Sequence, residues 1–185
     1  MAVFKPHGVE VKSLPLDAMK SDPLKRALQI WNGWCRDRPA PTWREVDLIA
    51  FPPTLLPLMT VVDVLEGGRD YRYRFWGSQL TGLFGRDETG SLLSENTITE
   101  SGELRMRQFM EVVQEVRPAL FVTAFMKTQQ VAAEKMNLRL PVCDAPGMVS
   151  KIITLSTMMP NQIANTTKLT EHLSLLWNGE AASSD

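Results

Sequence analysis

Between Asp22 and Trp34 the apolar residues Leu24, Ala27, Leu28, Trp31 and Trp34 follow spacings of three and four, the repeat that gathers side chains on one face of a helix. Ser21 or Asp22 caps that helix, Pro23 suits its first turn, and it closes before Pro39. From Leu58 the period becomes that of a sheet. "LMTVVDVL" and "YRYRF" flank Glu66-Gly67-Gly68-Arg69-Asp70, a loop with two glycines able to take positive φ, which predicts a hairpin. After Gly77 the glycine-broken stretch to Asn96 has room for short helical turns only, whereas Leu104, Phe109, Val112, Val113 and Val116 predict a longer helix over 102–117 that Pro118 ends. "ALFVTAFMK", "AEKMNLRLPV" and "MVSKIITLSTM" then read as three further strands, with Met136, Leu138 and Leu140 alternating with Lys135, Asn137 and Arg139.

Two strands, a helical run and three strands in hairpin succession predict an α+β fold: a five-stranded antiparallel sheet with helices over one face, plus the N-terminal amphipathic helix. The expected divisions are an irregular arm at 1–21, with Pro6, Gly8 and Pro15 breaking any period and room for a short extended piece, and the helix with a Pro-rich connector at 22–57. The sheet domain follows at 58–157, and a tail at 158–185 with room for one helix near 167–177.

At 185 residues and 44% hydrophobic content, one core suffices. The 20 Lys and Arg against 21 Asp and Glu leave a net charge of −1, so no field gathers nucleic acid or an anionic membrane. The N-terminus lacks the apolar run of a signal peptide, and the expectation is a soluble protein. Cys35 and Cys143 are too few and too distant for a disulfide framework and fit reduced thiols in a cytoplasm.

Candidate chemistry is sparse. The glycines at 77, 82, 85 and 90 invite a phosphate-loop reading, but Leu83 and Phe84 stand where that loop needs Lys and Ser or Thr. The glycines therefore read as turns, with Arg86, Asp87 and Glu88 a solvated turn in which Asp87 caps and Arg86 is a minor ligand candidate. His7 and His172 are the only histidines, so no triad is placed in the core and no metal spacing is met. Asp63 is the one acid in an apolar strand, read as outward-pointing or paired with Arg44 or Arg74. Arg69, Arg72 and Arg74 read as the solvent side of a strand whose Tyr71, Tyr73 and Phe75 point inward. Met and aromatic residues line adaptable pockets as well as cores. The pocket candidates are Tyr73, Phe75, Phe84, Met106, Phe109, Phe121, Met136, Leu138 and Ile153.

The order of elements resembles a PAS domain, more narrowly the bacterial PAS family called PAS_5. The likeness is carried by "LLPLMTVVDV" (55–64), "YRYRFWGSQL" (71–80), "LFGRDETG" (83–90) and the upstream "IWNGWCRDRPAPTWREVDL", and it spans 24–157. The resemblance implies a sensory role through a small molecule or a protein partner. The cysteine motif of light-sensing flavin relatives is missing, and the long helix lacks the histidine that haem-binding relatives use. No flavin or haem is expected.

The leading expectation is a non-enzymatic cytoplasmic sensor that binds a small apolar ligand between the sheet and the helix at 102–117. It would act as a homodimer or on a separate signalling protein, with Leu28, Trp31 and Trp34 as the candidate interaction surface, against an equally weighted packing of that helix on its own domain. The alternative is a ligand-free interaction module on the same fold. An isomerase-like enzyme with Asp63 as base is a third reading.

Overall fold

The computed structural model describes residues 6–96, 100–127 and 130–158. Six strands form one antiparallel sheet: β1 (Pro6–Leu14), β2 (Thr60–Leu65), β3 (Asp70–Trp76), β4 (Ala119–Lys127), β5 (Gln130–Ala145) and β6 (Met148–Met158), in the order β1-β4-β5-β6-β2-β3. Between them lie helices α1 (Asp22–Cys35), α2 (Ser78–Phe84) and α3 (Glu100–Glu115) and several single 3-10 turns. The α+β class and antiparallel sheet are as expected. The arm expected to be irregular is instead an edge strand, with Val9, Val11 and Ser13 opposite Phe125, Thr123 and Phe121 of β4. Pro6 opens that strand and the register slips between Pro6 and Val9, the places where an edge tolerates Pro and Gly. The tail and its expected helix lie outside the described residues.

Residues paired across antiparallel strands share a face. Arg139 lies opposite Ala119 and Thr154, and Thr154 opposite Thr60. Leu138 lies opposite Leu120 and Leu155, on the other face. α3 lies over the Arg139 face, where its Phe109 stacks on Tyr71 with centroids 4.8 Å apart. The Leu138 face carries α1 and the connector: α1 packs on β5, β6 and the turn Pro53–Leu58, and Trp43 of the connector meets Lys151. Three layers result, and both sheet faces are buried. The N-terminal helix, expected either as an interaction surface or packed on its own domain, takes the second of these places: α1 covers the face opposite α3.

α1 starts as its sequence dictates, with Ser21 Oγ accepting from the Leu24 N–H and Pro23 in the first turn. Leu24, Ala27, Trp31 and Cys35 form its buried stripe. The connector is pinned beside it. Cys143 N–H donates to Pro41 O, extending the free edge of β5 beyond β4, and Glu45 accepts from the Thr42 N–H and hydroxyl and from both-oxygen contact with Arg38 at 2.6 and 2.7 Å. The Arg38 bonds, then those from Thr42, hold the Glu45 carboxyl down to about 2. A carboxylate held lower in the folded than in the unfolded chain adds stability above the unfolded value, and the addition is lost as pH falls toward the folded one. The connector should therefore loosen between about pH 4.5 and pH 2. Glu45→Gln should make the acid transition of a pH-melt series shallower by that part, leaving the share of the other lowered carboxylates, Asp87 and Asp144; an unchanged slope would show that the contact is not a source.

The glycine-rich segment after β3 answers its own puzzle. Gly85 and Gly90 take φ of 79° and 89°, turning the chain so that Tyr73 N–H donates to Ser91 O and Gly90 N–H to Tyr73 O. Its backbone thereby covers the outer edge of β3. Glu88 is buried, where it accepts from Ser91 Oγ and pairs with Arg86. The solvated-turn expectation is thus corrected at Glu88, while Asp87 accepts from the Thr89 N–H and hydroxyl as a local cap.

Candidate functional site

The alternation of β5 puts Lys135, Asn137 and Arg139 on the side covered by α3, so a polar strip crosses the middle of the buried sheet. Asn137 donates to Thr123 Oγ1 at 3.1 Å and accepts from Ser156 Oγ at 2.9 Å, a bridge over β4, β5 and β6. Arg139 is 4% exposed. Its Nε and Nη2 donate to Gln108 Oε1 of α3 at 3.1 and 2.7 Å, and its Nη1 donates to Thr154 Oγ1 at 2.8 Å. The guanidinium carbon sits 4.1 Å from the centre of the Phe109 ring and 5.9 Å from that of Phe121. Arg105, one turn before Phe109, donates to the Tyr73 hydroxyl at 2.9 Å.

This layer concentrates positive charge. Among the described residues no carboxylate pairs with Arg139; its hydrogen-bond partners are a neutral amide and a neutral hydroxyl. Burial draws the guanidinium down to about 9; Tyr73 and Tyr71 oppose that shift and Arg105 adds to it, leaving a cation at neutral pH. Burial first, then Arg105 and Arg139, bring the Lys135 amine down to about 7. Tyr71 is fully buried, and burial, opposed by Arg139, pushes its phenol up to about 12, so it keeps its proton. Its hydroxyl has no hydrogen-bond partner among the described residues. The net arrangement is a set of donors and cations in a low-dielectric layer, suited to holding an acceptor or an anion.

The residues expected to line a pocket do not all meet. Tyr73, Phe109 and Phe121 are buried on the α3 side of the sheet, and Met106 is half-buried on α3. Met136, Leu138 and Ile153 are buried on the opposite face, under α1 and the connector, because the alternation of β5 and β6 runs the other way. Phe75 is 37% exposed: Val61 pairs with Phe75 but Val62 with Tyr73, so the bulge at Arg74 puts Arg74 and Phe75 both outside and turns Trp76 in. The Phe84 side chain is outside the described set. Of the interaction candidates, Trp31 is 2% exposed and its indole N–H donates to Pro141 O at 3.0 Å, within the chain. Trp34 is half-buried edge-on against Phe51 and Leu28 half-buried on the same helix. Asp63 accepts from Arg74 Nε at 2.8 Å, with Lys151 at 4.0 Å, the pairing expected for it.

Sequence reading missed Arg105, Gln108, Arg139, Thr154 and the role of Tyr71. The signal was present in the alternation of 135–140, which separates polar from apolar positions without telling which side a helix covers. The cover on both faces supplies what that pattern leaves open.

Fold and site together define an α+β protein in which a six-stranded antiparallel sheet, covered on both faces, buries a cationic polar cluster under its longest described helix. The chain matches no family model, no curated protein and no solved structure. No helix among the described residues is long and apolar enough to cross a membrane.

Proposed function

We propose that the chain is a PAS-type sensory module that holds a small molecule between α3 and the sheet and passes on its occupancy by self-association or by docking on a separate protein. The strand pair, the helical run and the three hairpin-linked strands, β2 to β6, support the PAS-like reading. The observation that carries the ligand is the polar cluster around Arg139, buried where packing on two sides would otherwise favour hydrocarbon. A buried cation without an opposite charge costs several kcal/mol, a cost that a bound acceptor offsets. The ligand is therefore more polar than an apolar-pocket reading implies. Association through α1 would use the half-buried Leu28 and Trp34, since Trp31 is occupied within the fold.

Native mass spectrometry of the protein purified from its own cells, set against the same sample after denaturation, tests the reading. A mass excess of a few hundred daltons or less that disappears on denaturation is the expected result. A bare polypeptide under the gentlest transfer, with no compound raising its melting temperature, would reject the ligand and leave a protein-interaction module.

A further inference from the structure

We propose that the molecule held under α3 is a small organic carboxylate, gripped through its two oxygens by Arg139 and lying with its apolar part against Phe109 and Phe121. The inference rests on the small-molecule reading above and adds the chemical class and the anchoring residue. A guanidinium has five N–H groups, and among the described residues the bonds from Nε, Nη1 and Nη2 to Gln108 and Thr154 leave one over on each terminal nitrogen. Gln108 takes the side-on edge of the fork, Nε with Nη2, and the end-on edge, Nη1 with Nη2, is the other one through which Arg takes both oxygens of a carboxylate. Gln108 and Thr154 fix the plane of the fork but bring no charge.

The setting favours an anion over a neutral acceptor. Arg139 is buried without a carboxylate partner among the described residues, and after burial the neighbouring Arg105 further disfavours its charge, while Arg105 and Arg139 both disfavour that of Lys135. A guanidinium kept only for packing would be replaced at little loss by a long apolar side chain. Phe109 and Phe121 beside the guanidinium offer flat apolar walls, which suit the hydrocarbon of an organic acid better than the fully polar surface of phosphate. Tyr71 packs on the same Phe109 ring and keeps a buried hydroxyl without a partner among the described residues, a donor for a second polar group on the ligand.

The test uses the full chain with benzoate, phenylacetate, hexanoate and succinate, each beside its own amide, and with inorganic phosphate. Thermal shift and calorimetry are the readouts. The expected result is saturable binding of at least one acid, with its amide at least roughly 30-fold weaker. Arg139→Gln should bring the acid down to the level of the amide, and Tyr71→Phe should weaken binding several-fold without lowering the melting temperature of the free protein. Should Arg139→Gln fail to fold, Arg139→Lys keeps the charge but loses the fork and is expected to cost about 10-fold. Equal binding of acid and amide, unchanged in the Arg139 variants, would overturn the carboxylate while leaving the sensor reading intact. Binding of phosphate alone would also overturn it. No binding tighter than about 1 mM by any probe, together with a bare mass from native cells, would remove both.

Discussion

Gly77→Ala is expected to destabilise the protein by about 3 kcal/mol or more, a melting-temperature loss of roughly 10 °C for a chain of this size. Gly77 has an ordinary extended backbone, φ −65° and ψ 144°, so the demand is for space. A Cβ there would lie 2.3 Å from the Pro57 carbonyl oxygen, 2.6 Å from its carbon and 2.9 Å from Leu56 O. All three are backbone atoms, and Gly77 N–H also donates to Met59 O at 2.9 Å, which ties the start of α2 to the end of the connector. Neither chain can retreat without losing that bond and the packing of buried Leu55 and Leu58 beneath it. Gly82 is the internal control. Nothing stands within 4 Å of its Cβ position and it is inside α2, so Gly82→Ala should be neutral or stabilise by up to about 1 kcal/mol. Equal melting temperatures for the two variants would disprove the close approach.

Trp31→Ala should cost about 3–5 kcal/mol, the range for emptying a large aromatic site in a core. The indole fills the space between α1 and the sheet and donates to Pro141 O, an oxygen with no strand partner because β4 ends opposite Arg139. Removing it leaves a cavity and an unpaired carbonyl together. Against a total stability of about 5–15 kcal/mol this is a large share, and chemical denaturation should show it as a lower midpoint. Trp34→Ala, which loses an edge contact to Phe51 from a half-buried position, should cost much less. The pair also separates two roles for α1. If Trp31→Ala kept the stability and shifted a dimer to monomer in sedimentation, the residue would belong to an interface and the intramolecular contact would be secondary.

Much of the fold could be read from local pattern. The helical spacing of Leu24, Ala27 and Trp31, the cap at Ser21, the two glycines of the β2–β3 turn and the stop at Pro118 are encoded within a few residues of where they act. They placed α1, α3 and five of the six strands. β1 escaped because Pro6 and Gly8 break its period and its partner, β4, lies more than a hundred residues away. Phe75 was misplaced for a similar reason: alternation holds only while register holds, and the shift between Val61 and Val62 turns one residue's direction over.

The site shows the same division most clearly. Sequence determined that Lys135, Asn137 and Arg139 share one face and Met136, Leu138 and Leu140 the other, since a strand has a period of two. It did not determine whether either face is covered, or by what. That choice belongs to the tertiary structure, where α1 and the connector close over the apolar side and α3 closes over the polar one. Burial then turns an ordinary arginine into a cation with neutral partners, because the same charge that water would solvate at no cost must find its counterpart inside.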